Sequence, residues 1–312
     1  MIAKLRGTHA LILILLLIAG PVLLKQLLPD ERREYEWVSL DTLQYKEVSF
    51  RNDAQQLDLA GMLFIPSGDG PFAAAVIIHG SGTSRRDSGW YLTLTNHLQQ
   101  NGIAVLLPDK RGSEKSSGDW RSADFHDLAT DTLAAVQYLQ DQEHVAISRI
   151  GIIGMSQGGW IAPIVASESS DIDFVVSMVG SAVTPREQLI YEENHNLRQM
   201  GFLPGISNAI AMISTTYIRN VAQAEFWDGV ADYDPIPYWS AVDIPALVLY
   251  GADDTNVPSE ESARRLQELQ KPNLHVEIFE GSGHALQDPA GQGDSIIRAE
   301  ALDAITSAIK MN

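Results

Sequence analysis

The stretch GIIGMSQGGW, residues 151–160, sets Ser156 between Gly154 and Gly158 in a G-x-S-x-G pattern. It follows the apolar run RIGII and opens a helical stretch, so the chain has to turn sharply at the serine. The two glycines remove side chains that would collide around so tight a bend. A hydroxyl held out on such a turn is a candidate nucleophile. A glycine-flanked turn can also grip a phosphate, but G-x-G-x-x-G and G-x-x-x-x-G-K-[ST] are both missing here and no lysine follows to meet the phosphate.

A serine hydroxyl attacks poorly unless a base takes its proton and a third group orients that base. Both partners follow in the chain. GADDTNVP places Asp253 and Asp254 just past the apolar run PALVLY, and GSGHAL places His284 in a glycine-flanked loop past LHVEIF. By residue pattern alone the two aspartates are not separated. One of them would accept the imidazole N–H, His284 would take the Ser156 proton, and the same imidazole would later protonate the leaving group. The expected chemistry is attack by Ser156 on an ester or amide carbonyl, an acyl-enzyme, and its release by water. The oxyanion formed on the way requires preorganised donors. HGSG, residues 79–82, ends the earlier run AAAVII, so the backbone N–H groups of Ser81 and Gln157 are the expected pair.

These residues need a scaffold that brings distant loops to one edge. YKEVSF and LDLAGMLFI alternate as two antiparallel strands. AAAVIIHG, GIAVLLPD, RIGIIGMS, FVVSMVGS and PALVLYGADD are short buried runs ending in Gly, Asp or Ser. Most are separated by helical patterns, near Tyr91–Gln100, Asp127–Gln140, Gly158–Ala166, Ser259–Gln270 and Ile296–Ile309. The expected fold class is α/β: a mostly parallel twisted sheet with helices on both faces and antiparallel strands at its N-terminal edge. Residues 184–240 break the rhythm with helical patterns and no convincing strand. They are expected to form a helical cap over the crevice at the strand ends.

The chain has 312 residues, 45 % of them hydrophobic and 20 % charged, the composition of a folded globular body. A formal charge of −18, from 40 acidic against 22 basic residues, argues against a nucleic-acid partner. The absence of cysteine excludes disulfides, thiolate metal sites and a cysteine nucleophile. Lys4 and Arg6 precede an apolar run from Ala10 to Leu24, the layout of a signal or membrane anchor. Pro21 after Ala19-Gly20 disfavours cleavage, so an uncleaved anchor is expected, with the acidic body in the cell envelope outside the cytoplasm; a cleaved signal would instead leave the body secreted or periplasmic. The expected organisation is an anchor at 1–28, a linker at 29–37, a core at 38–183 and 241–312, and the cap at 184–240.

The order of HGSG, G-x-S-x-G, the acid loop and the histidine loop resembles the α/β-hydrolase superfamily. The resemblance runs from about Tyr45 to Lys310, within the serine esterase, dienelactone-hydrolase-like and serine-aminopeptidase-like branches. PDKRGSEKSSG is similar to that family's D-x-R-G-x-G-x-S loop, with Glu114 where glycine is usual. GADDTNVP is similar to G-x-x-D-x-x-V-P, which selects Asp254 over Asp253. The resemblance implies Ser156 as nucleophile, Asp254 as acid and His284 as base. It also implies a small-molecule ester or short peptide substrate, with no cofactor and no metal required.

Other side chains have plainer expected roles. Asp109 and Arg111 are expected to pin a loop, and Arg85, Arg86 and Asp87 to form a solvated charge run. Glu192, Glu193 and His195 lack metal-site spacing and are expected on a solvent-facing helix. For a peptidase, Glu187, Glu192 or Glu193 would be the acids available to a free amine. Trp160 is expected in the core. In the cap, Met200, Phe202, Met212, Tyr217, Phe226, Trp227, Tyr238 and Trp239 suggest an apolar, partly aromatic lid, with half or more of them packing as cap core.

Overall fold

A computed structural model describes residues 33–222 and 224–310, together with Leu23 and Lys25. Apart from those two residues, the expected anchor at 1–28 lies outside the described residues. No helix among the described residues is long and apolar enough to cross a membrane.

Among the described residues, eight strands form one sheet: β1 Lys46–Asn52, β2 Leu57–Phe64, β3 Phe72–Ile78, β4 Ile103–Pro108, β5 Ile147–Met155, β6 Phe174–Met178, β7 Ala246–Gly251 and β8 Leu274–Phe279. Their spatial order is β1-β2-β4-β3-β5-β6-β7-β8. β1 pairs antiparallel with β2, and β2 antiparallel with β4, while every pairing from β4 onward is parallel. The central parallel strands β3 to β7 are near-continuous apolar runs buried on both faces, while the edge strands β1 and β8 alternate in burial. A strand covered on one side alternates, and a strand covered on both does not.

Five helices among the described residues flank the sheet: α1 Gly89–Gln100, α2 Phe125–Gln140, α3 Gly158–Glu168, and, beyond the insertion described next, α8 Ser259–Gln267 and α9 Ala299–Lys310. Successive strand side chains point to opposite faces. Val76 and Ile152 therefore join one core with Leu128 and Val136 of α2, Ile164 of α3 and Leu266 of α8. Ile77 and Ile153 join a second core with Leu94 and Leu98 of α1 and Ile305 and Ile309 of α9.

Between β6 and β7 the chain inserts α4 Pro185–Gln199, α5 Pro204–Tyr217, a π-helical turn at Ile218–Ala222, α6 Ala224–Val230 and α7 Ile236–Ala241. The start of α4 is fixed locally. Thr184 and Glu187 form a reciprocal capping box, and Pro185 occupies the first turn, where its missing N–H costs nothing. Residues 33–37, expected as linker, lie against the C-terminal loop: Glu36 N–H donates to Asp294 O at 2.6 Å, and Ile296 N–H donates to Glu36 O at 3.0 Å.

Candidate active site

Ser156 sits between the end of β5 and the start of α3 with φ +54°, a left-handed conformation that costs a non-glycine residue about 1 kcal/mol or more. The neighbouring backbone forces it there. A methyl group on Gly158 would stand 2.2 Å from the Ile78 carbonyl oxygen, and one on Gly154 would stand 2.2 Å from the Gly158 carbonyl oxygen. Only glycine lets α3 start this close to the end of β3, and the turn then lifts the Ser156 side chain clear of the sheet. The Ser156 N–H donates to Met178 O at 2.9 Å and ties the turn to β6.

The imidazole of His284 lies between Ser156 and Asp254: Nε2 is 2.9 Å from Ser156 Oγ, and Nδ1 is 2.8 Å from Asp254 Oδ2. Asp254 is buried, and its Oδ1 accepts from the N–H groups of Asn256 at 2.8 Å and Val257 at 2.9 Å. An ionised carboxylate has no proton to give, so Nδ1 carries the imidazole hydrogen and Nε2 is left as acceptor for the serine hydroxyl. Asp253 is exposed one residue away. The geometry thus places Asp254 against the imidazole. The histidine loop is steadied by Trp90, whose indole N–H donates to Ala285 O at 3.0 Å and whose ring centroid lies 5.9 Å from that of His284.

Gln157 directly follows Ser156 in the chain, and Gln157 and Ser81 both line one cavity. The segment before Ser81 is held tightly. His79 is buried, which pushes its imidazole pKa down to about 4, so the ring is neutral and its Nε2–H donates to Pro108 O at 2.6 Å. The Gly80 N–H donates to the Tyr91 hydroxyl at 2.8 Å, and burial raises that phenol to about 12. A methyl group on Gly80 would approach Ser156 Cβ to 3.3 Å, which shows how near this loop runs to the hydroxyl. On its other side, Lys110 Nζ donates to Gly80 O at 2.8 Å and to Gln157 Oε1 at 2.6 Å. Sequence reasoning passed over Lys110, Trp90 and Tyr91. A lysine inside PDKRG reads as one more loop charge, and the residue types of Trp90 and Tyr91 carry no sign of a contact with the histidine loop or Gly80.

The cavity beside the serine measures ≈ 650 Å³, within the usual range for small-molecule sites, and Trp160, Leu189, Glu192 and Trp227 are among its walls. Trp160 is buried and stacks on Phe125 at 5.4 Å, as expected of core, yet it also faces the cavity. Glu192 departs from its expected solvent-facing position. Burial raises its carboxyl pKa, the nearby His284 opposes that rise, and Glu193 and Asp254 add to it. His195 Nδ1–H donates to Tyr191 O within its own helix, at 3.1 Å. No group of three or more His, Cys, Asp or Glu among the described residues is placed to hold a metal ion.

The insertion's large apolar residues take several places. Trp227 lines the cavity, Trp239 is buried in the core, and the Tyr238 hydroxyl meets His126 Nε2 at 3.0 Å. Met200, Met212 and Tyr217 are exposed and Phe202 is partly buried, while the Phe226 side chain lies outside the described residues. Arg86 corrects the expected solvated run. Its guanidinium grips buried Asp109 with two bonds of 2.8 and 2.7 Å, while Arg85 and Asp87 pair in solvent. Arg111 instead bonds Asp131 at 2.6 and 3.0 Å and Asp127 O at 2.7 Å, fastening the loop after β4 to α2.

A family model described as BAAT / Acyl-CoA thioester hydrolase C terminal matches residues 133–291, and one described as Dienelactone hydrolase family matches residues 61–198. Esterase EstD of Thermotoga maritima is 25 % identical over 281 residues, covering 85 % of this chain and 65 % of that protein. The acylamino-acid-releasing enzyme of Rattus norvegicus is 24 % identical over 240 residues, covering 72 % of this chain and 30 % of that protein. The chain therefore spans 65 % of the length of the first relative and 30 % of the second. A solved Pyrococcus furiosus esterase superposes with a TM-score of 0.65 at 20 % identity, over 91 % of this chain and 99 % of that one, a likeness of fold.

Proposed function

We propose, for a chain that belongs to the BAAT / acyl-CoA thioester hydrolase C-terminal family and to the serine esterase branch of the α/β-hydrolase superfamily, that it hydrolyses carboxylic esters through an acyl-enzyme on Ser156. The single observation that carries this reading is the position of His284, within hydrogen-bond reach of both Ser156 and Asp254. Ser156 Oγ attacks the acyl carbonyl as His284 Nε2 takes its proton, and buried Asp254 stabilises the imidazolium that forms. The backbone N–H groups of Ser81 and Gln157 receive the developing oxyanion. The imidazolium then protonates the departing alcohol, and a water deprotonated by His284 releases the acid and frees the serine.

The acyl or alkyl part of the substrate occupies the cavity walled by Trp160, Leu189 and Trp227, which favours small to medium apolar or aromatic esters. A thioester presents the same carbonyl chemistry to the same groups. Glu192 supports a second reading, cleavage of short peptides, because a carboxylate on the cavity wall could anchor a free amine. Purified protein assayed on p-nitrophenyl esters of increasing length, an acyl thioester and aminoacyl anilides, beside Ser156→Ala, tests both. Turnover of anilides alone would replace the esterase reading with the peptidase one, and turnover surviving in the variant would remove Ser156 from the mechanism. Attachment to a membrane through the segment from Thr8 to Leu28 rests on its apolar sequence and is tested by alkaline extraction of membranes carrying the full chain.

A further inference from the structure

Lys110, in the loop after β4, is buried, and its ammonium has no carboxylate partner among the described residues. Its neighbours Asp109 and Arg111 are committed elsewhere, to Arg86 and Asp131. Its bonds go instead to Gly80 O at 2.8 Å and Gln157 Oε1 at 2.6 Å, and the Trp120 ring lies 5.4 Å away from centroid to Nζ. Leaving an ammonium in such surroundings is expensive, and desolvation pushes its pKa down to about 7. A residue chosen for packing alone would have been apolar.

The two acceptors are not arbitrary. Gly80 O and Ser81 N–H are opposite ends of one peptide unit, and in a planar trans peptide they point in opposite directions. A donor fixed on the oxygen side therefore aims the Ser81 N–H away from Lys110, and it also polarises the amide so that its N–H becomes a stronger donor. The second bond fastens the side chain of Gln157, the residue whose own N–H is the other proposed oxyanion donor. One ammonium thus joins the two chain segments, from the ends of β3 and β5, that must stay in register for a two-donor site to form. Its charge also favours negative charge developing nearby in a water-poor setting.

We propose that Lys110 is a positioning residue of the oxyanion hole, holding the Gly80–Ser81 peptide and Gln157 in the arrangement that receives the transition-state oxygen. The proposal rests on the esterase reading.

Lys110→Met, which keeps the length of the side chain and removes its donors, tests it. With p-nitrophenyl butyrate, kcat is expected to fall about 10²-fold, the usual cost of disabling one oxyanion donor, with KM changed less than about threefold. The affinity of an alkyl boronic acid, whose serine adduct mimics the tetrahedral state, is expected to fall in step with kcat/KM. Gln157→Leu, which cuts one of the two bonds, is expected to show a smaller loss of the same kind.

A folded Lys110→Met with unchanged kcat and boronic acid affinity overturns the proposal, as does a loss that lies wholly in KM. If that variant does not fold, Gln157→Leu decides in its place: a folded Gln157→Leu with unchanged kcat and unchanged boronic acid affinity overturns the proposal. A wild-type protein that turns over no ester and binds no boronic acid overturns the esterase reading itself, and this proposal with it.

Discussion

Tyr191, on the first helix of the insertion, donates a hydrogen bond of 2.8 Å from its hydroxyl to the backbone carbonyl of Asp254, the residue against His284. The insertion is thereby fastened to the acid loop as well as laid over the cavity. Removing that hydroxyl frees the helix without touching a reacting group. Tyr191→Phe is expected to lower kcat/KM several-fold and to cost about 1 kcal/mol of stability, the typical worth of one hydrogen bond. An unchanged pair of values in steady-state kinetics and urea unfolding would mean that the two elements are coupled only by packing.

Asp253 and Asp254 are adjacent in sequence but only one faces the imidazole, and the difference is measurable. Asp254→Asn would offer His284 an amide in place of the carboxylate and favour the wrong tautomer, with kcat expected to fall about 10⁴-fold. Asp253→Asn, at an exposed position, is expected to stay within about twofold of the wild type. Reversal of that order in ester hydrolysis would exchange their roles.

The backbone at Ser156 separates activity from stability. Ser156→Ala and Ser156→Gly should both abolish ester turnover, with a loss of about 10⁴-fold or more. At φ +54° alanine keeps the strain and glycine relieves it, so the glycine variant is expected to be the more stable of the two by about 1 kcal/mol. Equal melting temperatures for the two variants would count against stored strain at this turn.

Gly158→Ala tests the contact that makes the turn possible. Its methyl group would fall 2.2 Å from Ile78 O, a backbone atom that cannot swing aside. The variant is expected to lose more than about 2 kcal/mol in chemical denaturation, with activity lost at temperatures where the wild type is still folded. A variant as stable as the wild type would show that α3 and the end of β3 can separate freely.

Lys110 makes a pH dependence of folding with a definite sign. Its pKa is lowered from 10.5 to about 7 in the folded chain, so between those values the unfolded chain holds the proton and the folded chain does not. Stability from this residue therefore rises with pH across that window, by up to about 1.4 kcal/mol per unit, and is constant below it. The unfolding free energy of the wild type minus that of Lys110→Met, measured by urea at pH 7, 8 and 9, is expected to increase. A flat difference would mean that the ammonium is not desolvated.

Ser156 and His284 were legible in the sequence because their signals are local. Glycines two residues either side of a serine, after a β-branched run, mark a turn that can be read from a few residues. Each central parallel strand likewise announced itself as a short apolar run. The choice between the two aspartates was not legible from residue types. It came in the sequence from resemblance, and in the structure from the turn in which Asp254 Oδ1 takes two backbone N–H groups while Oδ2 is left for the imidazole.

Sequence by itself determined the class of each element, the positions of the sharp turns and the residues available for chemistry, because periodicity and turn preferences act over a few residues. Tertiary structure alone decided that Arg86 belongs to Asp109, that Glu192 faces a cavity, and that Lys110 lies under both Gly80 and Gln157. Those pairings follow from strand order and from how closely α3 approaches β3. Both are settled by burying two faces of one sheet at once, and no short window of residues encodes that.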